Sequence, residues 1–178
     1  MSGNIVLIGF MGAGKSSVGR ALAAKLRMKF VELDSLVEQK AGKCIADIFK
    51  CEGEPVFRSL ESTVAADASL TGGAVISCGG GIVLNPVNIE RLKKNALIVY
   101  LEAEPEVILS RLKGTGNVRP LLEVSDPAGA VNDLLIARRP LYERSADIIV
   151  DTTGLTINNV VNNIIAELPE NESVNLQK

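Results

Sequence analysis

An apolar run, Ile5-Val6-Leu7-Ile8, passes directly into Gly9-Phe10-Met11-Gly12-Ala13-Gly14-Lys15-Ser16-Ser17. Residues 9–16 match G-x-x-x-x-G-K-[ST] at every fixed position. That pattern works only where a buried strand turns into a helix, so it constrains the fold more than any other stretch. Its glycines let the backbone turn so that successive N–H groups point at phosphate oxygens. The helix N-terminus adds partial positive charge. Gly12, Ala13, Gly14 and Ser17 belong to this cradle, Lys15 can bridge β- and γ-phosphates, and the Ser16 hydroxyl can bind Mg²⁺. A nucleoside triphosphate site follows. Where the phosphoryl group goes does not.

Strand and helix patterns alternate along the rest of the chain. Apolar runs predict strands at 4–8, 30–33, 74–78, 97–101 and 147–151. A first helix starts near Lys15, with Val18, Leu22 and Leu26 on one face. Further helices are predicted over 35–42, 45–53, from Glu54 with Pro55 in its first turn, over 85–95, over 105–113, over 127–144 and over 156–168. Asn85 and Pro86 form a cap and first-position pair. Residues 113–120 are glycine-rich and polar, as a loop should be. Hydrophobic residues make up 47% of the chain but aromatics only 3%, so the core must be built from Val, Ile, Leu and Ala. Such runs suit parallel strands buried on both faces. The expected fold is an α/β doubly wound, three-layer sandwich about a parallel sheet, with ligands at the carboxyl ends of its strands. The phosphate loop, Asp34 and Gly79-Gly80-Gly81 all fall at such ends.

Composition removes several functions. A formal charge of −2 and few aromatics argue against nucleic-acid binding. The three cysteines, Cys44, Cys51 and Cys78, lack metal-ligand spacing. Reduced thiols and a cytoplasmic chain are expected. No apolar run is long enough to span a membrane, and no basic segment opens a signal peptide. Histidine is absent, so a general base must come from Asp, Glu or a less common group.

Five stretches carry a more specific likeness: "GFMGAGKSSVGRALA", "ELDSLVEQKAGKCIADIFKCEGEPVFRSLE", "SCGGGIV", "NVRPLL" and "ARRPLYERSADIIVDT". In this order, across residues 4–153, they resemble shikimate kinase. The phosphate loop is generic; G-E-x-x-F-R-x-x-E combined with the glycine triplet and R-x-P-L-Y is not. The resemblance implies a fold similar to nucleoside monophosphate kinases, with sheet order 2-3-1-4-5. One domain over 1–168 is expected, with an acceptor-binding region at 32–61, a lid at 112–124 and a polar tail at 169–178. The implied activity moves a phosphoryl group from ATP, with Mg²⁺, to the 3-hydroxyl of shikimate in aromatic amino-acid biosynthesis. A monomer is expected.

Each implied site residue also has a plainer reading. Asp34 matches the family's acceptor-binding carboxylate and could take the hydroxyl proton; it could equally cap the next helix. Glu32 departs from the family's Asp-x-Asp, and the resemblance implies a water-mediated contact with Mg²⁺; the alternative is a solvated strand end. Arg58 and Arg138 match the binders of the shikimate carboxylate, a task suited to a planar guanidinium, but arginines on helices are usually at the surface. Arg139 neighbours Arg138, and the register against P-L-Y selects Arg138. Glu61, one turn after Arg58, can orient it or form an ordinary ion pair. Gly79, Gly80 and Gly81 allow close backbone approach to substrate, or simply a tight turn. Arg119 matches a lid arginine that neutralises the transferring group, or is a solvated loop residue. Arg111 and the "DTTG" segment at 151–154 are implied to flank the adenine. Cys78 reads as core filler.

Overall fold

The computed structural model describes residues 3–113 and 126–169. Strand β1 (Asn4–Ile8) leads into helix α1 (Lys15–Leu26). After β2 (Lys29–Glu32) come α2 (Leu33–Ala41), α3 (Ile45–Cys51) and α4 (Glu54–Ser69). β3 (Ala74–Ser77) is followed by a short 3-10 turn (Ile82–Leu84) and α5 (Pro86–Lys93). β4 (Ala96–Glu102), α6 (Pro105–Lys113), α7 (Pro127–Ser145), β5 (Ile148–Asp151) and α8 (Ile157–Glu167) complete the order.

All five strands are parallel and lie in the order β2-β3-β1-β4-β5. Strand side chains alternate between faces, and here both faces are buried. Val6, Ile8, Ile76, Ile98 and Tyr100 pack on one side with Val37, Ile48, Phe57, Val64, Leu92 and Tyr142. Ile5, Leu7, Val75, Val99 and Leu101 face Val18, Leu22, Val160, Val161 and Ile164 on the other. Helices α1 and α8 thus cover one face, and α2 to α7 contribute to the other. Continuous apolar runs, rather than alternating ones, are the consequence in sequence. No helix among the described residues is long and apolar enough to cross a membrane.

The predicted elements lie where expected, with boundaries moved by no more than two residues. One shift matters for chemistry. β2 stops at Glu32, and Leu33 already begins α2. Asp34 is therefore in the first turn of that helix and is not the strand end or the cap, a position held by Glu32 in extended conformation. An acid in a first turn faces the positive end of the helix dipole. The expected cap at Asn85 is present: its side chain accepts a hydrogen bond from the Val87 N–H. Most of the predicted lid (114–124), Arg119 within it, and residues 170–178 of the predicted tail lie outside the described residues.

The start of the central strand is tied down by one side chain. Asn4 is 1% exposed. Its amide donates to the Thr71 carbonyl at 2.7 Å and its oxygen accepts from the Ala74 N–H at 3.0 Å. Both partners flank the entry to β3, so Asn4 aligns the two strands whose far ends carry the phosphate loop and the glycine triplet. Replacing Asn4 by Ala leaves the buried Ala74 N–H without its acceptor, whereas the Thr71 carbonyl keeps Asn95 Nδ2 at 3.5 Å, and is expected to cost about 1–3 kcal/mol. Urea denaturation of the variant checks this; an unchanged midpoint and slope would show that water replaces the amide fully.

Candidate active site

The loop after β1 is shaped by its glycines. Gly12 and Gly14 have φ of +82° and +96°, which side chains rarely tolerate. A side chain at Gly9 would overlap the Leu101 carbonyl of the neighbouring strand. Gly14 ends the loop, and Lys15 opens α1. Its first-turn N–H groups have no acceptor within the helix, which is the arrangement that receives phosphate oxygens. Lys15 is 8% exposed, and its ammonium donates to the Gly9 and Phe10 carbonyls at 2.9 and 2.8 Å. It lies across the loop it is expected to serve.

Beside it, Glu32 makes no cap bond to its helix. Its Oε1 accepts from the Ser16 and Ser77 hydroxyls, both at 2.8 Å, and Arg20 approaches Oε2 at 3.4 Å. The solvated reading of Glu32 therefore fails. An aspartate is one methylene shorter; the longer glutamate reaches the hydroxyl that the loop offers to a metal. A hydroxyl and a carboxylate are hard oxygen donors. With phosphate oxygens and waters they suit Mg²⁺, which rarely takes an all-protein cage.

At the adjacent strand ends, β2 and β3 bring the acids and arginines together. Any side chain at Gly79 would set its Cβ 2.7 Å from Asp34 Oδ1 and 2.8 Å from Glu61 Oε1. At Gly81 it would overlap the Arg58 guanidinium. At Gly80 it would stand 3.2 Å from the Met11 backbone nitrogen. The triplet is glycine because two acids, an arginine and the phosphate loop all close on its backbone.

Arg58 donates from Nη1 to Glu61 Oε2 at 2.9 Å, and from Nε and Nη2 to Glu54 Oε1 at 3.0 and 2.8 Å. Glu61 is 2% exposed, and its other oxygen has no hydrogen-bond partner. Burial raises the Glu61 pKa above the usual carboxylate value, and nearby Asp34 pushes the same way; Arg58 and Arg138 oppose but do not cancel it. Arg138 is 5% exposed, not a surface arginine, and donates to the Gly80 carbonyl at 3.4 Å. One turn later Tyr142 donates to the same carbonyl, with its ring stacked on Tyr100 at 5.0 Å between centroids. Burial raises the Cys78 thiol pKa strongly, and Glu61 adds to it. Cys78 stays protonated and fills space.

Arg111 reaches from α6 to the loop. Its Nη1 donates to the Gly12 and Ala13 carbonyls at 3.3 Å and to Thr152 Oγ1 at 3.0 Å, while Nη2 donates to the Thr152 carbonyl at 3.0 Å. Arg111 and the 151–154 segment were expected on opposite sides of a base; at Thr152 they are bonded to one another. Thr152 also donates to the Glu102 carbonyl at 2.9 Å and so ties β5 to β4.

Sequence reasoning overlooked Glu54, Ser77 and Tyr142 as individual residues, and placed Thr152 only as part of the 151–154 segment. Glu54 had a signal, its i,i+4 spacing to Arg58. Tyr142 had another, one turn from Arg138 in R-x-P-L-Y. Ser77 had none, and the Thr152 bond to Arg111 had none, because their partners lie on elements distant in sequence.

The family model for shikimate kinase matches residues 11–169. A shikimate kinase of Caldanaerobacter subterraneus subsp. tengcongensis is 46% identical over 91% of this chain and 94% of its own. One from Symbiobacterium thermophilum is 44% identical over 94% and 97% respectively. Among solved structures, shikimate kinase from Acinetobacter baumannii in complex with shikimate superposes with a TM-score of 0.89 at 37% identity, covering 93% of this chain and 92% of that one. Such identity over nearly the full length, on the same sheet order and around the same loop, leaves one assignment: the chain belongs to the shikimate kinase family.

Proposed function

We propose that this chain transfers the γ-phosphoryl group of ATP to the 3-hydroxyl of shikimate, giving shikimate 3-phosphate and ADP on the way to aromatic amino acids. One observation carries the acceptor side: Asp34, Glu61, Arg58 and Arg138 converge on Gly79–Gly81, whose middle residue approaches the phosphate loop at Met11. A site with paired arginines suits a carboxylate. A carboxylate facing the same backbone suits a hydroxyl. Their closeness to the phosphate loop suits direct in-line transfer, where positioning and charge neutralisation supply most of the catalysis.

In this reading the loop from Gly12 to Ser17 cradles the phosphates, and Lys15 leaves the carbonyls of Gly9 and Phe10 to bind the β- and γ-phosphate oxygens. Ser16 would hold Mg²⁺, with Glu32 supporting the site through its bond to the Ser16 hydroxyl or through water. When bound, the ion neutralises phosphate charge. Arg58 and Arg138 hold the acceptor carboxylate. Asp34 accepts a hydrogen bond from the acceptor hydroxyl, orients it at the γ-phosphorus and takes its proton as the new P–O bond forms. Gly79–Gly81 let the acceptor ring lie against backbone. Arg119 is assigned to neutralising the transferring group from its sequence context alone, and Arg111 to the adenine edge. A cytoplasmic monomer is part of the same reading.

The reaction is tested by following ADP release with shikimate, quinate, gluconate and nucleoside monophosphates. Turnover is expected with shikimate above the rest. Preference for gluconate would move the assignment to another hydroxy-acid kinase.

Asp34 is tested by Asp34→Asn. The amide keeps the side chain's shape and loses only its favourable charge at the helix start, so it is expected to hold the melting temperature within a few degrees and to lower kcat/KM by about 10²–10⁴-fold, the range for a general acid–base group. A stable and fully active variant would remove the carboxylate from the mechanism.

Glu61 has a pH signature. Its pKa is raised in the folded chain, so the folded state binds its proton more tightly than the unfolded one. The resulting contribution to stability is complete below the usual value of 4.5 and is lost as pH rises through the raised value. Relative to Glu61→Gln, the unsubstituted chain is therefore expected to lose stability progressively above pH 4.5, as read by urea midpoints. A relative gain in stability of the unsubstituted chain over Glu61→Gln as pH rises would mean that Arg58 stabilises the ionised form outright.

A further inference from the structure

Three of the five Arg58 N–H groups are already engaged, and its Nε–Nη2 edge is taken by Glu54. Nη1 is held by Glu61, while Nε and Nη2 converge on a single oxygen of Glu54. The two acids differ in freedom. The Glu61 side chain is 2% exposed, whereas that of Glu54 is 45% exposed and sits in the first turn of α4. Glu54 and Arg58 also line a cavity of about 470 Å³, bounded by Pro55, Ser62, Leu84 and Asn85. The Glu54 carboxylate can thus turn into water or cavity without disturbing its helix; Glu61 cannot.

Charge points the same way. Glu54, Glu61 and Asp34 carry three acids against Arg58 and Arg138. A carboxylate ligand arriving with Glu54 in place would make a fourth acid around two guanidiniums, beside a Glu61 already driven toward its protonated form.

We propose that Glu54 is an internal stand-in for the acceptor's carboxylate: it occupies the Nε–Nη2 edge of Arg58 in the empty site and is displaced when the acceptor binds. This rests on the reading of Arg58 as an acceptor contact. The exchange keeps the guanidinium aimed while the site is empty. It also raises the threshold for binding: a simple carboxylate must displace Glu54 unaided, whereas an acceptor that also bonds Asp34 through its hydroxyl has energy to spare. Glu54 is a specificity-determining residue that acts through Arg58, not a catalytic one.

The test is calorimetric titration of shikimate, its uncharged carboxamide and ADP into the unsubstituted chain, Glu54→Gln, Glu54→Ala and Arg58→Ala. Removing a competing charge from a half-exposed i,i+4 pair is expected to tighten shikimate by about threefold to tenfold. The Ala variant should gain at least as much as Gln, and neither should change the affinity for the carboxamide or for ADP. A residue that merely orients Arg58 cannot produce a gain. Weaker or unchanged shikimate binding in both Glu54 variants therefore overturns the proposal, as does an equal gain for the carboxamide. Arg58→Ala separates the layers: if it leaves shikimate affinity untouched, the underlying assignment of Arg58 fails, whatever the Glu54 variants do.

Discussion

The approach of one backbone to another underlies the whole site. Gly80, just past β3, lies so near the phosphate loop that a methyl group on it would stand 3.2 Å from the Met11 nitrogen. Phosphoryl transfer needs donor and acceptor within bonding reach, and side chains cannot intervene at that seam. The contact is held from several directions. β1 and β3 are hydrogen-bonded neighbours from Ile5–Val75 to Leu7–Ser77, and the Cys78 N–H continues the ladder to the Leu7 carbonyl. From above, Arg138 and Tyr142 both donate to the Gly80 carbonyl. The phosphate loop and the glycine triplet thus sit side by side at the carboxyl ends of two paired parallel strands.

Around that seam, charges are placed by burial as much as by pairing. Glu61 is held inside by Arg58, yet its desolvation outweighs that attraction. Such a pair contributes little to stability and much to aim: it fixes one edge of a guanidinium whose other edge faces a more exposed acid. Glu32 shows the opposite economy of space. It sits at the helix start without capping it, and spends its carboxylate on Ser16 and Ser77. The length of the glutamate side chain is what lets it reach both hydroxyls.

Legibility followed sequence distance. The strands, the first helix and the Asn85 cap were readable because each depends on neighbours within a few residues. The phosphate loop was readable because its chemistry needs φ angles that only glycine supplies at fixed spacing. The glycine triplet was harder, since a tight turn and a substrate floor predict the same residues. The crowding of Asp34, Glu61 and Arg58 around it is what only the tertiary structure shows. Asp34 itself shifted from a possible cap to the first turn because β2 ended one residue early, a boundary no propensity scale resolves.

What the sequence alone determined was local and periodic: a doubly wound α/β chain with a nucleotide loop after its first strand, all from i-to-i+4 patterning and glycine placement. Tertiary structure decided which distant groups meet. Ser77 and Glu32 are 45 residues apart, Arg138 and Gly80 are 58 apart, and Arg111 and Ala13 are 98 apart. Parallel strands bring such residues together because every carboxyl end lies on the same edge of the sheet. The choice of neighbours there depends on strand order and burial. Those arise from packing two apolar faces at once, a property of the assembled sheet that no single segment carries.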